Sequence, residues 1–214
     1  MRGMAPPRNV PLTPRAVLFD LGGVLLDIDF GRALAAWEAH SRLAPDAMRA
    51  AFAFDEPFHH HETGRLDDDS YFGHLRRVLA LDCELAQVRA GFNAILIGEI
   101  AQTVRMLEAI RTRVPCYAIS NTNPSHVAEM ERAFPGLLPR FTRVFASHEI
   151  GHRKPQPGAF EHVLREIGVP PPEVLLFDDL AANVEAAIAL GLQAVQVRSP
   201  EDVRSALARR GLLA

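Results

Sequence analysis

The chain has 214 residues, 48% of them hydrophobic and 23% charged, with a formal net charge of -3. That length holds one full α/β domain, alone or with a smaller inserted unit, and can bury a substantial core. The composition is that of an ordinary soluble globular protein and lacks the basic excess that phosphate-backbone binding requires, so nucleic acid is excluded as the expected partner.

Residues 1–14, with Pro6, Pro7, Pro11 and Pro14, read as a loose extension without the apolar core of a signal peptide. No segment approaches the roughly 20 apolar residues needed to span a bilayer, and the two cysteines, Cys83 and Cys116, suggest neither a disulfide framework nor a metal cluster. A cytoplasmic protein with reduced thiols and no membrane partner is expected.

The first strand is Ala16-Val17-Leu18-Phe19, an apolar run that ends at Asp20 and enters Leu21-Gly22-Gly23-Val24. A strand buried on both faces reads as a continuous hydrophobic stretch, and an acid at its end stands where open α/β sheets place their ligands. Helical periodicity then dominates for some seventy residues: Phe30 to Ser41, Asp67 to Leu81 and Glu84 to Ile97 are the expected helices. Residues 30–100 are thus expected to form a small helical cap domain. Residues 15–29 and 101–214 form the core around it.

From Ile100 the pattern alternates. Helix Ile100 to Thr112, strand Cys116 to Ser120, a helix from Pro124, strand Arg143 to Ser147 and helix Gln156 to Ile167 follow in turn. A strand ending at Asp178, helix Ala181 to Leu190, strand Gln193 to Val197 and a terminal helix near Pro200 complete the chain. This is the signature of α/β structure: a doubly wound, Rossmann-like parallel sheet with the helical unit inserted after its first strand.

Chemistry concentrates at the strand ends. Asp20 alone is equally readable as a cap of the glycine turn. Asp178-Asp179 repeat the apolar-strand-to-acid pattern, and three carboxylates brought together by neighbouring strands would repel one another unless a divalent cation joined them. Ser120-Asn121-Thr122-Asn123, before Pro124, suits an anion at a strand-to-helix junction, although Thr122 or Asn123 could simply cap the helix. Lys154, in Arg153-Lys154-Pro155, is either a solvated loop charge or an ammonium folded over the strand ends. In the helical unit Glu56, His59, His60, His61 and Glu62 share one short segment. Three consecutive histidines cannot share a helical face, so no metal site is expected there; the segment reads either as a solvated surface loop or as a cap loop in which His59 or Glu62 contacts a substrate hydroxyl.

In that order, Asp20, Ser120, Lys154 and Asp178-Asp179 make the chain resemble the haloacid dehalogenase superfamily over residues 15 to 200. The word Phe19-Asp20-Leu21-Gly22-Gly23-Val24 looks most like its sugar-phosphatase branch, and Leu26-Asp27-Ile28-Asp29-Phe30 with the stretch Phe58 to Gly64 is similar, more narrowly, to the α-D-glucose-1-phosphate phosphatases of that branch. The resemblance implies hydrolysis of a small phosphorylated metabolite such as a sugar phosphate, with Asp20 as the nucleophile that forms an aspartyl-phosphate. It implies Mg²⁺ held by Asp20, the Gly22 carbonyl and Asp179, with Asp178 as a further ligand, and phosphoryl binding by Ser120, the Asn121 N–H and Lys154.

One departure stands out. Most phosphatases of the superfamily carry a second aspartate two residues after the nucleophile as general acid and base, and here that position is Gly22. Asp27 and Asp29 are the nearby carboxylates that could replace it. Two other functions fit the same residues: a metal-independent 2-haloacid dehalogenase, and a phosphate-binding protein without turnover.

Overall fold

The structure is a computed structural model and describes residues 12–213. The extension read at residues 1–14 therefore lies outside the described residues as far as residue 11. In chain order, β1 (Ala16–Phe19) is followed by β2 (Leu26–Ile28) and five helices: α1 (Phe30–Glu38), α2 (Pro45–Ala51), α3 (Glu56–His61), α4 (Asp68–Val78) and α5 (Leu85–Asn93). β3 (Leu96–Glu99) and α6 (Ala101–Ile110) lead into β4 (Cys116–Ser120), α7 (Pro124–Ala133), β5 (Arg143–Ala146), α8 (Ser147–Ile150) and α9 (Pro157–Ile167). β6 (Val174–Asp178), α10 (Ala181–Ala189), β7 (Gln193–Gln196) and α11 (Pro200–Arg209) end the chain.

Five strands form one parallel sheet in the order β5-β4-β1-β6-β7, with β1 at its centre. Residues on alternate sides of β1 enter different cores: Val17 and Phe19 pack on one face, Ala16 and Leu18 on the other. Both faces are covered by helices, which explains why the strand shows no polar alternation. The result is the α/β, Rossmann-like fold expected from the sequence. Because β4 and β6 flank β1 in parallel, Ser120 and Asp178 reach the same sheet edge as Asp20, whose N–H donates to the Phe177 carbonyl at 2.8 Å.

The five helices between β2 and β3 have an apolar core of their own, centred on Trp37, Tyr71, Phe72 and Phe92. Trp37 is fully buried and donates through its indole N–H to the Val88 carbonyl at 3.0 Å. A Cβ at Gly91 would fall 2.1 Å from that indole nitrogen, so the α1 and α5 contact depends on glycine there.

Two sequence expectations need correction. The helix expected over Glu84 to Ile97 stops at Asn93, and Leu96–Glu99 instead pairs antiparallel with Leu26–Ile28 as a two-stranded neck. Segments of three or four residues carry too few periods for helix and strand to be told apart. Ser147, expected as the last residue of a strand, opens α8. No helix among the described residues is long and apolar enough to cross a membrane.

Candidate active site at the carboxyl ends of the strands

The chain leaves β1 at a carboxylate and turns at once through glycines, which leaves Asp20 buried yet facing a cavity of about 410 Å³. Asp20 Oδ1 accepts from the Leu21 N–H at 2.7 Å and lies 3.0 Å from Lys154 Nζ. Oδ2 has no hydrogen-bond partner among the described residues, which leaves one carboxylate oxygen fixed and the other available.

Lys154 is almost wholly buried. Its ammonium also donates to Asp178 Oδ2 at 2.6 Å, and its backbone is clamped at both ends by the Asn121 amide: Lys154 N–H donates to Asn121 Oδ1 and Asn121 Nδ2 donates to the Lys154 carbonyl, each at 2.8 Å. The Asn121 side chain thus works as a strut for the lysine loop. Burial disfavours the ammonium, but Asp20 and Asp178 outweigh it and hold the lysine above its ordinary pKa.

The carboxylates behave differently. Burial pushes Asp20 up to about 7, with Lys154 opposing the rise and Asp178 and Asp179 adding to it. Burial and the neighbouring Asp178 likewise raise Asp179. Asp178 is fully committed: its Oδ1 accepts from Asn183 Nδ2 at 2.9 Å and from the Leu180 N–H at 3.0 Å, while Oδ2 holds the lysine.

Oxygens of Asp20, Asp178 and Asp179 lie within 4.8 Å of one another. Three carboxylates against a single lysine leave an excess of negative charge in a partly dry site, a donor set suited to a hard divalent cation. Asp20 and Asp179 offer the free oxygens; Asp178, with both oxygens engaged, fits a supporting position. Asp179 owes its place to Gly23, whose φ is +71° and where a Cβ would fall 2.5 Å from Asp179 Oδ2. Gly22 is confined differently, since a Cβ there would meet Ile28 Cδ1 at 2.8 Å. The neck residue Ile28 fills the space that an acidic side chain at this position would enter.

Ser120 is buried beside the carboxylates and its hydroxyl has no hydrogen-bond partner among the described residues. Capping falls to Asn123, which accepts from the His126 N–H at 3.0 Å.

The expected contacts from the helical unit separate. Glu62 lines the cavity and His59 does not; the His59 Nδ1 meets Arg153 Nη1 at 2.8 Å. His60 lies 3.7 Å from Glu56, and His61 is buried against Tyr71 with Asp68 at 2.8 Å, so the three histidines occupy three surroundings. Asp29 caps α1 through the Gly31 N–H, and neither Asp27 nor Asp29 lines the cavity.

Two residues of the site went unread in the sequence. Arg153 reaches from the lysine loop to α3 and pairs with Glu62 at 2.7 Å. His126, on α7, stacks on Phe92 of α5 at 4.4 Å and contacts the Phe92 carbonyl and the Asn123 amide through its two nitrogens. Burial pushes His126 down to about 4, below the ordinary 6.5. The unfolded chain therefore binds more protons between those values, so stability rises with pH across the window and is lost as pH falls from about 6.5 to about 4. The full loss corresponds to about 3 kcal/mol. Denaturant unfolding at pH 7 and pH 5 should show this slope in the native protein and a flatter one in His126→Gln.

Comparison with known proteins gives concordant matches. A family model for haloacid dehalogenase-like hydrolases matches residues 14–191. D-ribitol-5-phosphate phosphatase of Bacteroides thetaiotaomicron is 24% identical over 196 residues, which cover 89% of this chain and 95% of that one. A HAD-like family hydrolase from Porphyromonas gingivalis superposes with a TM-score of 0.80 at 26% identity, over 92% of this chain and 97% of the other. A HAD family enzyme of Bacteroides thetaiotaomicron, solved with magnesium and inorganic phosphate, superposes with a TM-score of 0.75 at 23% identity, over 86% and 94%.

Proposed function

Because the chain belongs to the haloacid dehalogenase-like hydrolases, we propose that it is a Mg²⁺-dependent phosphatase of small phosphorylated metabolites, sugar phosphates such as α-glucose-1-phosphate among them. The observation that carries this reading is the meeting of Asp20, Asp179 and Lys154, beside an unpartnered Ser120 hydroxyl, in one cavity, with Asp178 buried against the lysine. The D-ribitol-5-phosphate phosphatase relative supports a phosphorylated polyol or sugar as the donor.

Mg²⁺ would be held by Asp20, the Gly22 carbonyl and Asp179, with Asp178 in support, and when bound would neutralise charge on the phosphoryl oxygens. The chain's own groups do the rest. Lys154, the Ser120 hydroxyl and the Asn121 N–H bind the phosphoryl oxygens and stabilise the charge that develops on them. One carboxylate oxygen of Asp20 attacks phosphorus, the bond to the ester oxygen breaks, and the leaving alkoxide takes a proton from water, since Gly22 offers none. Water then attacks phosphorus, releasing inorganic phosphate and restoring the carboxylate. The helical unit covers the cavity as a cap, and Lys154 keeps its ammonium paired with Asp20 and Asp178 before substrate arrives.

Acid quenching during turnover, followed by peptide mass analysis, should find a phosphoryl group on the peptide containing Asp20. A phosphoryl group on Ser120 instead would overturn the assignment. Gly23→Ala should weaken Mg²⁺ binding about tenfold or more, because strain of roughly 1–3 kcal/mol at a left-handed backbone and the displaced Asp179 carboxylate act together. A Mg²⁺ titration of phosphate release measures this.

A further inference from the structure

The helical unit contributes Phe30, Phe54, Phe58, Ile95 and Glu62 to the cavity wall, and only Glu62 among them has a polar side chain. The three phenylalanines form a continuous aromatic surface, with ring centroids 5.1 Å apart for Phe30 and Phe54 and 4.8 Å for Phe54 and Phe58. Phe54 is 55% exposed, which a large apolar side chain at a cavity rim tolerates when a ligand covers it.

Glu62 is held on one side only. Arg153 donates to its Oε2 from Nε at 2.9 Å and approaches it from Nη2 at 2.7 Å, whereas Oε1 has no hydrogen-bond partner among the described residues. Glu62 lines the cavity, and its unengaged Oε1 is therefore open to accept from a ligand hydroxyl. Arg153 itself lies over the Phe58 ring at 5.8 Å and is bonded to Lys154, so the polar edge of the cavity continues into the loop of the phosphate-binding lysine.

Resting on the phosphatase reading, we propose that Glu62 and Arg153 read the hydroxyl-bearing edge of the leaving group while Phe30, Phe54 and Phe58 cover its C–H face. A hydroxyl donates to Glu62 Oε1, and the Arg153 guanidinium fixes that carboxylate from behind. The substrate class is a sugar or polyol phosphate with one polar edge and one apolar face, matched at a single point by charge and elsewhere by aromatic rings.

The test compares kcat/KM for phenyl phosphate, which carries no hydroxyl, with that for the best of α-glucose-1-phosphate, D-ribitol-5-phosphate and fructose-1-phosphate. In Glu62→Gln and Arg153→Met the ratio of sugar donor to phenyl phosphate should fall about ten- to a hundredfold relative to the native enzyme. A ratio within about twofold of native, whatever the absolute loss, overturns the proposal and reduces the pair to a strut. Should Arg153→Met fail to fold, the nearly isosteric Glu62→Gln carries the comparison. Turnover of phenyl phosphate by the native enzyme with none of any sugar phosphate also overturns it, leaving the phosphatase reading intact. Turnover of neither donor overturns both.

Discussion

Asp20→Asn should lower kcat for phosphate release by on the order of 10⁴-fold or more. The amide keeps the volume of the side chain and can still meet the Leu21 N–H, but its nitrogen and its neutral oxygen are poor nucleophiles toward phosphorus. Folding should survive. Burial already disfavours the Asp20 charge, and Lys154 retains its contact with Asp178 at 2.6 Å, so thermal unfolding should occur at or above the native temperature. A variant that folds, binds phosphate and turns over within about tenfold of native would remove Asp20 from the role of nucleophile.

Lys154→Met should have the largest effect on stability of any single change at the site. It leaves three clustered carboxylates, two of them buried, without their one cation, and breaking a buried pair in this way costs about 3–5 kcal/mol. Saturating Mg²⁺ should restore part of the loss, since a bound cation supplies the missing charge. Activity should fall about 10²–10³-fold in addition, because in the proposed mechanism the ammonium also binds the phosphoryl oxygens. Denaturant unfolding with and without Mg²⁺ separates the two effects. A variant as stable as the native protein in EDTA would contradict the assigned electrostatics.

The words of the candidate site were legible because each is short, and all but the lysine stand at the end of an apolar strand. Asp20, Ser120 and Asp178-Asp179 needed only the parallel order of β4, β1 and β6 to converge, whereas Lys154 arrives on the loop before α9 and is held there by Asn121. Contacts across the cavity were not legible in the same way. Arg153 and Glu62 are 91 residues apart, and nothing local to either names the other; the only signal was a second cation beside Lys154. His59 and Glu62 looked equivalent in sequence and both meet Arg153, yet only Glu62 lines the cavity. The β2 and β3 neck escaped notice because its two strands span three and four residues, and its Ile28 is the residue that closes the space beside Gly22.

The most direct measurement is inorganic phosphate release from α-glucose-1-phosphate, D-ribitol-5-phosphate and phenyl phosphate with Mg²⁺ or with EDTA, alongside chloride release from 2-chloropropionate. The predicted result is phosphate release that requires Mg²⁺, with no chloride under either condition. Chloride release in EDTA, or no phosphate from any donor, would contradict a Mg²⁺-dependent phosphatase built on Asp20.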